Sequence, residues 1–458
     1  MRAMADLDTI FKAYDIRGRV PEELDAPTVR AVGQALAGFL PAGSVAVGRD
    51  MRSDSSELAD ALIAGLIAQG RDVLDIGQCT SDMIYYAVGA ITSATGRPLA
   101  GGAMITASHI GAGTNGIKLT GAGVVPIGAD SGLLDIKAAV AAGKFTPADH
   151  PGAVIKRDIT EGFVRHILQI AQGDFGAIKP LRIGYDAGNG MAGIFVPLLQ
   201  QVTPLQIEGL YLEPDGSFPN HPANPLIEAN LAALKQLDIR DHLAAGVAFD
   251  GDGDRAFLVD ERGAVISASL LACLLIGPLL ARHPGAKVIT TPTISRIVPE
   301  TVTALGGVPI VCRVGHSFIK AKMREVDAVF GLEEAGHFYF ADNFRADSGL
   351  LAALSALAIL SQSGQPLSQL IAPFRKYHDS GEQNFTVADA PALLRKLWQH
   401  YADGTASEID GLSISYPDWW FNIRTSNTEP VVRLNVEATT AELLSTKTTE
   451  LDEIIKHG

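Results

Sequence analysis

At 458 residues the chain is about three times the roughly 150 that make one compact domain, so several domains are expected and a small scaffold held by disulfides or metal is excluded. Hydrophobic residues make up 47% and charged residues 19%, with 47 Gly and 24 Pro spread along the chain, which is globular usage and neither disordered nor fibrous. Lys plus Arg is 37 against 51 for Asp plus Glu, and the resulting charge of −14 argues against nucleic acid as a partner while leaving room for one positive cleft around a small anion.

Met1 to Arg17 carries charge throughout and has no apolar core of signal-peptide length, so a cytoplasmic location is expected. Val45-Ala46-Val47-Gly48 reads as a buried strand. Glu57 to Gln69 then places Leu58, Ala61, Leu62 and Leu66 on one helical face, and Val73 to Gly77 is the next strand, completing a β-α-β unit. The pattern returns at Leu181 to Tyr185, a helix near Ile194 to Gln201 and Ile207 to Leu212. It returns again at Val288-Ile289, a helix from about Ser295 and Pro309 to Cys312. Ala264 to Ala281 holds no charge, but its Ser267, Ser269, Gly277 and Pro278, set among strand and turn signals, predict a buried helix and no membrane span. Beyond Ser380 short strands around Asn384 to Val387, Leu412 to Tyr416 and Val431 to Val436 precede a final helix from Ala441, the texture of a smaller α+β domain. Cys79, Cys273 and Cys312 are odd in number and far apart, so neither a disulfide framework nor a thiolate zinc site is expected.

Four segments carry chemistry. Gly101 to Leu119 runs an apolar strand into Ser108-His109, crosses a Gly-rich loop at Gly111 to Gly116, and is expected to open the next strand with Lys118; a hydroxyl beside an imidazole and within reach of an amine suits a nucleophile with acid/base partners. Asp250-Gly251-Asp252-Gly253-Asp254-Arg255 sets three carboxylates at alternate positions on a Gly-softened turn, where they can converge on one hard cation such as magnesium. An EF-hand calcium loop is rejected, because Arg255 stands at its obligatory Gly position and no helix is predicted after it. Gly331 to His337 offers a carboxylate and an imidazole to a polyol, and Arg424 to Pro430 packs a guanidinium, hydroxyls and an amide ahead of a strand, the inventory for cradling phosphate. Gly188-Asn189-Gly190 and Glu213 to Gly216 are read as turns.

In order, Tyr14 to Gly18, Gly48-Arg49-Asp50, Thr106 to His109, Asn115 to Lys118, Asp250 to Arg255, Gly315-His316-Ser317, Glu333 to His337 and Arg424 to Pro430 resemble the α-D-phosphohexomutase superfamily, with the phosphomannomutase/phosphoglucomutase branch nearest. The resemblance covers nearly the whole chain. It implies three similar mixed α/β domains and a C-terminal α+β domain around a central cleft: a phosphoserine-bearing domain over 1–150, a metal-binding domain over 151–256, a sugar-binding domain over 257–368 and a phosphate-binding domain over 369–458.

The resemblance also implies an isomerase that interconverts hexose 1-phosphate and hexose 6-phosphate, of mannose or glucose, through a hexose 1,6-bisphosphate that also serves as activator. Ser108 is then a phosphoserine, with His109, Lys118 and Arg17 assisting proton transfer. Asp250, Asp252 and Asp254 hold Mg2+ against the Ser108 phosphate. Tyr14, Arg255, His316, Glu333, His337, Arg424, Ser426, Asn427 and Thr428 bind the sugar phosphate, Glu333 at the 3- and 4-hydroxyls. A monomer acting on a small sugar phosphate, without nucleic acid or membrane, is expected.

Four positions depart from the family pattern: Ile110-Gly111 replaces Asn-Pro, Ala335 stands where Ser is usual, and Thr293 falls near a place many relatives give to a basic residue. They bear on substrate preference. Phosphoglucosamine mutase, a weakened sugar-phosphate-binding homologue and a magnesium phosphatase are the competing readings.

Overall fold

The computed structural model describes residues 6–93, 95–425 and 431–456. The chain forms two compact units, one from the residues up to Ser267 together with Ala335–Leu370, the other from Ala268–Glu334 together with the residues from Ile371 onward.

The first sheet uses β1 (Ile16–Arg19), β2 (Val45–Arg49), β3 (Val73–Gln78), β4 (Gly101–Ile105), β5 (Thr114–Gly121) and β6 (Val154–Lys156) in the order β1-β5-β4-β2-β3-β6, with β4, β2, β3 and β6 parallel. Apolar residues fill both faces of its central strands, as a sheet covered on both sides requires. Val45, Val47, Ala103, Ile105, Ile117 and Leu119 pack in one cluster with Val29, Leu36, Leu58, Leu62 and Leu66 from the helices Ala26–Phe39 and Ser55–Ala68. The strand expected to open at Lys118 already begins at Thr114. Asn115 and Gly116 look like loop letters, but Gly116 faces Arg17 across the β1–β5 pairing, and a Cβ there would lie 2.4 Å from the Ile16 carbonyl oxygen. This glycine admits a neighbouring backbone rather than making a turn.

The second sheet orders β7 (Leu181–Asp186), β8 (Leu205–Leu210), β9 (Ala245–Phe249), β10 (Ala256–Asp260) and β11 (Val265–Ile266) as β11-β10-β9-β7-β8, with β9 and β10 an antiparallel hairpin. The helix expected near Ile194 is a 3₁₀ turn, Met191–Phe195, followed by the helix Val196–Val202. In the second unit β12 (Lys287–Thr290), β13 (Val308–Val311) and β14 (Phe330–Leu332) pair in parallel, β12 in the middle. The uncharged stretch around residue 270 is the helix Ala268–Arg282, whose Leu271, Leu275, Ile276 and Leu279 are buried. In the first unit β15 (Phe338–Phe340) and β16 (Ala346–Asp347) pair antiparallel, and the helix Gly349–Ser363 follows, capped by Ser348.

The C-terminal sheet is wholly antiparallel and includes β17 (His378–Asp379), β18 (Gln383–Phe385), β19 (Thr405–Ser407), β20 (Leu412–Ser415), β21 (Trp419–Thr425) and β22 (Val432–Ala438). Ile414, Phe421, Ile423, Leu434 and Val436 meet Leu393, Leu397, Leu451 and Ile455 from two helices in a separate core. A multidomain α/β architecture with a C-terminal α+β domain was expected and is found. Among the described residues no single helix is long and apolar enough to cross a membrane, and all three cysteines are free and buried.

Candidate active site

The parallel strands of the first sheet deliver their C-terminal ends to one edge, where open α/β sheets bind ligands. Asp50 follows β2, Ser81 follows β3 and Ser108 follows β4. Ser108 is buried and has φ +55°, a left-handed conformation that non-glycine residues adopt only when the surroundings hold them there. Its N–H donates to Thr106 Oγ1 at 2.9 Å, and its Oγ donates to Asp250 Oδ2 at 2.8 Å and lies 3.3 Å from His109 Nδ1. The β9–β10 hairpin turn carries Asp250, Asp252 and Asp254, all buried. Gly251 permits its approach, since a Cβ there would stand 2.5 Å from the Ser108 carbonyl oxygen.

One oxygen from each of these aspartates lies within 4.8 Å of the others. Lys118 Nζ donates to Asp252 Oδ2 and Asp254 Oδ2, each at 2.6 Å, and Ser81 Oγ also donates to Asp252 Oδ2. Among the described residues Asp252 Oδ1 and Asp254 Oδ1 accept no hydrogen bond although buried. Burial works against the Asp252 charge, yet Lys118 and Ser81 hold its pKa well below the usual carboxylate range. Burial, followed by repulsion from Asp252 and Asp254, pushes Asp250 up to about 7. Burial also opposes the charge on Lys118, but the two carboxylates outweigh it and raise the ammonium pKa. An all-oxygen donor set with two buried carboxylate oxygens that accept no hydrogen bond among the described residues fits a hard divalent cation such as magnesium and suits soft metals poorly.

A cationic side faces this acidic one. Arg255, with burial and Arg17, pushes the His109 pKa down to about 2, so the ring is neutral. Arg17 pairs with Asp15 at 2.5 Å, and Tyr14 is half-buried just ahead of β1. Arg255 Nε donates to His337 Nε2 at 2.9 Å, while His337 Nδ1 meets Asp347 Oδ2 at 2.8 Å. The first unit therefore brings together Arg17, Ser108, His109, Lys118, the three aspartates, Arg255 and His337.

In the second unit the Gly315 N–H, at the start of the helix His316–Val326, donates to Glu333 Oε2 at 3.1 Å, which sets Glu333 beside His316. Glu334 turns elsewhere and accepts from Ser269 Oγ; burial pushes its pKa up to about 7. Arg424, on the unanticipated strand β21, is buried and contacts Glu382 Oε2 at 3.4 Å. Ser426, Asn427 and Thr428 lie outside the described residues.

Sequence reasoning did not reach Arg52, Ser81, Asp82 and Asp347. Asp82 accepts from Thr80 and Ser348, and burial, with Asp254 and Asp347 adding to it, pushes its pKa up to about 8. Arg52 stands two residues beyond the Gly48-Arg49-Asp50 motif, but no letter shows what its guanidinium holds.

Models of the phosphoglucomutase/phosphomannomutase family match in series: α/β/α domain I over residues 8–147, II over 161–263, III over 269–377 and the C-terminal domain over 382–453. A protein of Xanthomonas campestris pv. campestris named phosphohexose mutases is 41% identical over 451 residues, covering 97% of this chain and 99% of its own. A phosphomannomutase of Salmonella typhimurium is 37% identical over 440 residues, covering 94% of this chain and 95% of its own. The crystal structure of a phosphoglucomutase/phosphomannomutase family protein from Burkholderia thailandensis superposes with a TM-score of 0.91 at 31% identity, covering 99% of this chain and 98% of that one.

Proposed function

The chain belongs to the phosphoglucomutase/phosphomannomutase family, within the α-D-phosphohexomutase superfamily, and from that premise we propose that it interconverts the 1- and 6-phosphates of mannose or glucose with Ser108 as phosphoryl carrier. It is an isomerase of the phosphohexomutase type. The observation that carries the Ser108 assignment is its strained, buried backbone, which aims Oγ at Asp250 within the carboxylate triad.

Phosphoserine at Ser108 gives its phosphoryl group to the free hydroxyl of the bound hexose phosphate, breaking the Ser108 Oγ–P bond as the sugar O–P bond forms. The resulting hexose 1,6-bisphosphate returns its other phosphate to Ser108. Charge develops on the transferring oxygens, so positioned cations do most of the stabilising. Asp250, Asp252 and Asp254, with the phosphoserine, would hold a magnesium ion, which when bound supplies positive charge against those oxygens. Lys118, locked as an ammonium by Asp252 and Asp254, serves as a fixed cation and hydrogen-bond donor beside the transferring group rather than as a base. His109 enters neutral, and a substrate phosphate beside Arg255 and Arg17 offsets the two guanidiniums that suppress its basicity, readying it to take the hydroxyl proton.

Arg255, His337 and Tyr14 are assigned to the sugar phosphate. Glu333 is assigned to sugar hydroxyls, and His316, Arg424, Ser426, Asn427 and Thr428 to the phosphate that is not reacting. A monomeric, cytoplasmic enzyme completes the proposal. Intact-mass analysis should find one phosphate, mapped to Ser108, and a coupled assay should show turnover of mannose 1-phosphate or glucose 1-phosphate, each with a trace of its bisphosphate, that chelator abolishes, with glucosamine 1-phosphate run alongside to test the competing reading. Full turnover by Ser108→Ala would overturn the reading.

A further inference from the structure

We propose that Arg52 is a positioning residue for phosphoryl transfer: its buried guanidinium holds the Ser108 loop in the backbone conformation that aims Oγ into the carboxylate triad. The inference rests on Ser108 as the phosphoryl carrier. Arg52 lies between β2 and the helix Ser55–Ala68 and is 4% exposed. Asp50 fixes it from one side, accepting from Arg52 N and Arg52 Nε at 3.0 Å each, and Asp50 is itself fixed by Ser55 Oγ.

The remaining guanidinium N–H groups all turn to one loop. Nη2 donates to the carbonyls of Ser108 at 2.8 Å and Ile110 at 2.5 Å, and Nη1 to those of Gly111 at 3.0 Å and Thr114 at 3.2 Å. The five donors of one planar fork are thus matched to five acceptors. The Phe218 ring closes the site, its centroid 5.3 Å from Cζ.

The loop needs such an anchor. Residues 111–113 are Gly-Ala-Gly and exposed, so their side chains contribute little that would fix the backbone. Ser108 nonetheless keeps φ +55°, and its carbonyl is the one that Arg52 Nη2 holds and that Gly251 approaches. A strained conformation persists only where neighbours over-determine it. Arg52 supplies that constraint from a group that touches neither the triad nor, by its own engaged donors, a substrate.

Arg52→Lys keeps a charge for Asp50, but one ammonium cannot span four carbonyls. We expect kcat to fall about ten- to a hundredfold with KM for the hexose phosphate within about twofold, because binding groups stay in place while the reacting oxygen is misaimed. Phosphoryl transfer from hexose 1,6-bisphosphate to the dephosphorylated enzyme should slow equally, and guanidinium ion should restore part of the turnover of Arg52→Ala. Ser55→Ala, which loosens Asp50 but leaves the guanidinium, covers the case of misfolding: kcat should fall about two- to fivefold with little change in melting temperature. Unchanged kcat in folded Arg52→Lys or in Ser55→Ala, or losses that track the unfolded fraction without guanidinium rescue, would overturn the proposal. Ser108→Ala run in parallel separates the two ideas. If it is inactive while Arg52→Lys is unimpaired, only the positioning role falls; if it is active, the carrier assignment falls first.

Discussion

Lys118 Nζ lies 2.6 Å from both Asp252 Oδ2 and Asp254 Oδ2, so one buried ammonium bridges two carboxylates of the triad. Each carboxylate keeps its Oδ1 without a hydrogen bond among the described residues, ready for a cation on another side. The lysine therefore neutralises part of the charge in the resting protein, and the proposed magnesium ion would neutralise more.

Lys118→Met leaves those carboxylates unpaired in the interior, and removing one partner of a buried pair costs about 3–5 kcal/mol. The variant should melt below wild type without magnesium and regain more stability than wild type on adding it, because the ion no longer competes with an ammonium. Turnover should be lost under both conditions. Melts with and without magnesium chloride check this; equal magnesium-induced shifts in the two proteins would refute it.

Asp347 fixes the ring of His337 by accepting at Nδ1, which leaves Nε2 to accept from Arg255 Nε. Asp347→Asn presents an amide of nearly the same size whose N–H₂ can face Nδ1 instead, turning the proton to Nε2 and against Arg255. Losing a charged hydrogen bond of about 1.5–3 kcal/mol corresponds to roughly a ten- to 150-fold fall in kcat/KM. A pH–rate profile should change shape along with the rate. A uniform small loss with an unaltered profile would assign Asp347 to structure alone.

How far the letters reach depends on how local the physics is. Val45 to Gly48 and the face of Leu58, Leu62 and Leu66 are legible because burial of a strand and of one helical face writes a short period. The aspartate loop is legible for a similar reason, three carboxylates within five residues having few uses. Arg52 is not, since its acceptors are backbone carbonyls 56 to 62 residues away and a carbonyl has no letter. Strand β21 hides because Asn422 and Arg424, both buried, interrupt its apolar pattern. Asn422 there donates to the Asp410 carbonyl and to Ser413 Oγ, partners that only the folded sheet supplies.

Ala335 stands where the resemblance usually places a serine, and its neighbour does not replace that hydroxyl. Glu334 is committed to Ser269 Oγ, whereas Glu333 faces the Gly315 N–H. Ala335→Ser should therefore add one hydrogen bond at the sugar, worth about 0.5–1.5 kcal/mol, and raise kcat/KM about two- to twelvefold. The gain should be similar for mannose and glucose phosphates, which agree at the 3- and 4-hydroxyls. Unchanged constants for both, together with a loss in Glu334→Ala, would mean that Glu334 leaves Ser269 and takes the contact.

Asp238 supplies a test of stability away from the chemistry. It is buried on the helix Ala232–Asp241, its two side-chain oxygens accept no hydrogen bond among the described residues, and Gly184 and Gly246 make the room it fills, since a Cβ on either would lie 2.4 or 2.1 Å from a carboxyl oxygen. Burial, with Asp260 adding repulsion, pushes its pKa up to about 7. The folded protein then holds a proton that the unfolded chain, with an ordinary carboxylate pKa of about 4, has already released. The contribution of Asp238 to stability must fall as pH rises from about 4 to about 7 and level off above, because over that window this group binds fewer protons in the unfolded state. Asp238→Asn keeps the size and removes the ionisation, so its advantage over wild type should be small near pH 4 and grow to about 1 kcal/mol or more at pH 8. Urea unfolding of both proteins at pH 5 and pH 8 measures the difference, and an Asp238→Asn effect of equal size at the two values would show that Asp238 is ionised in the fold at both.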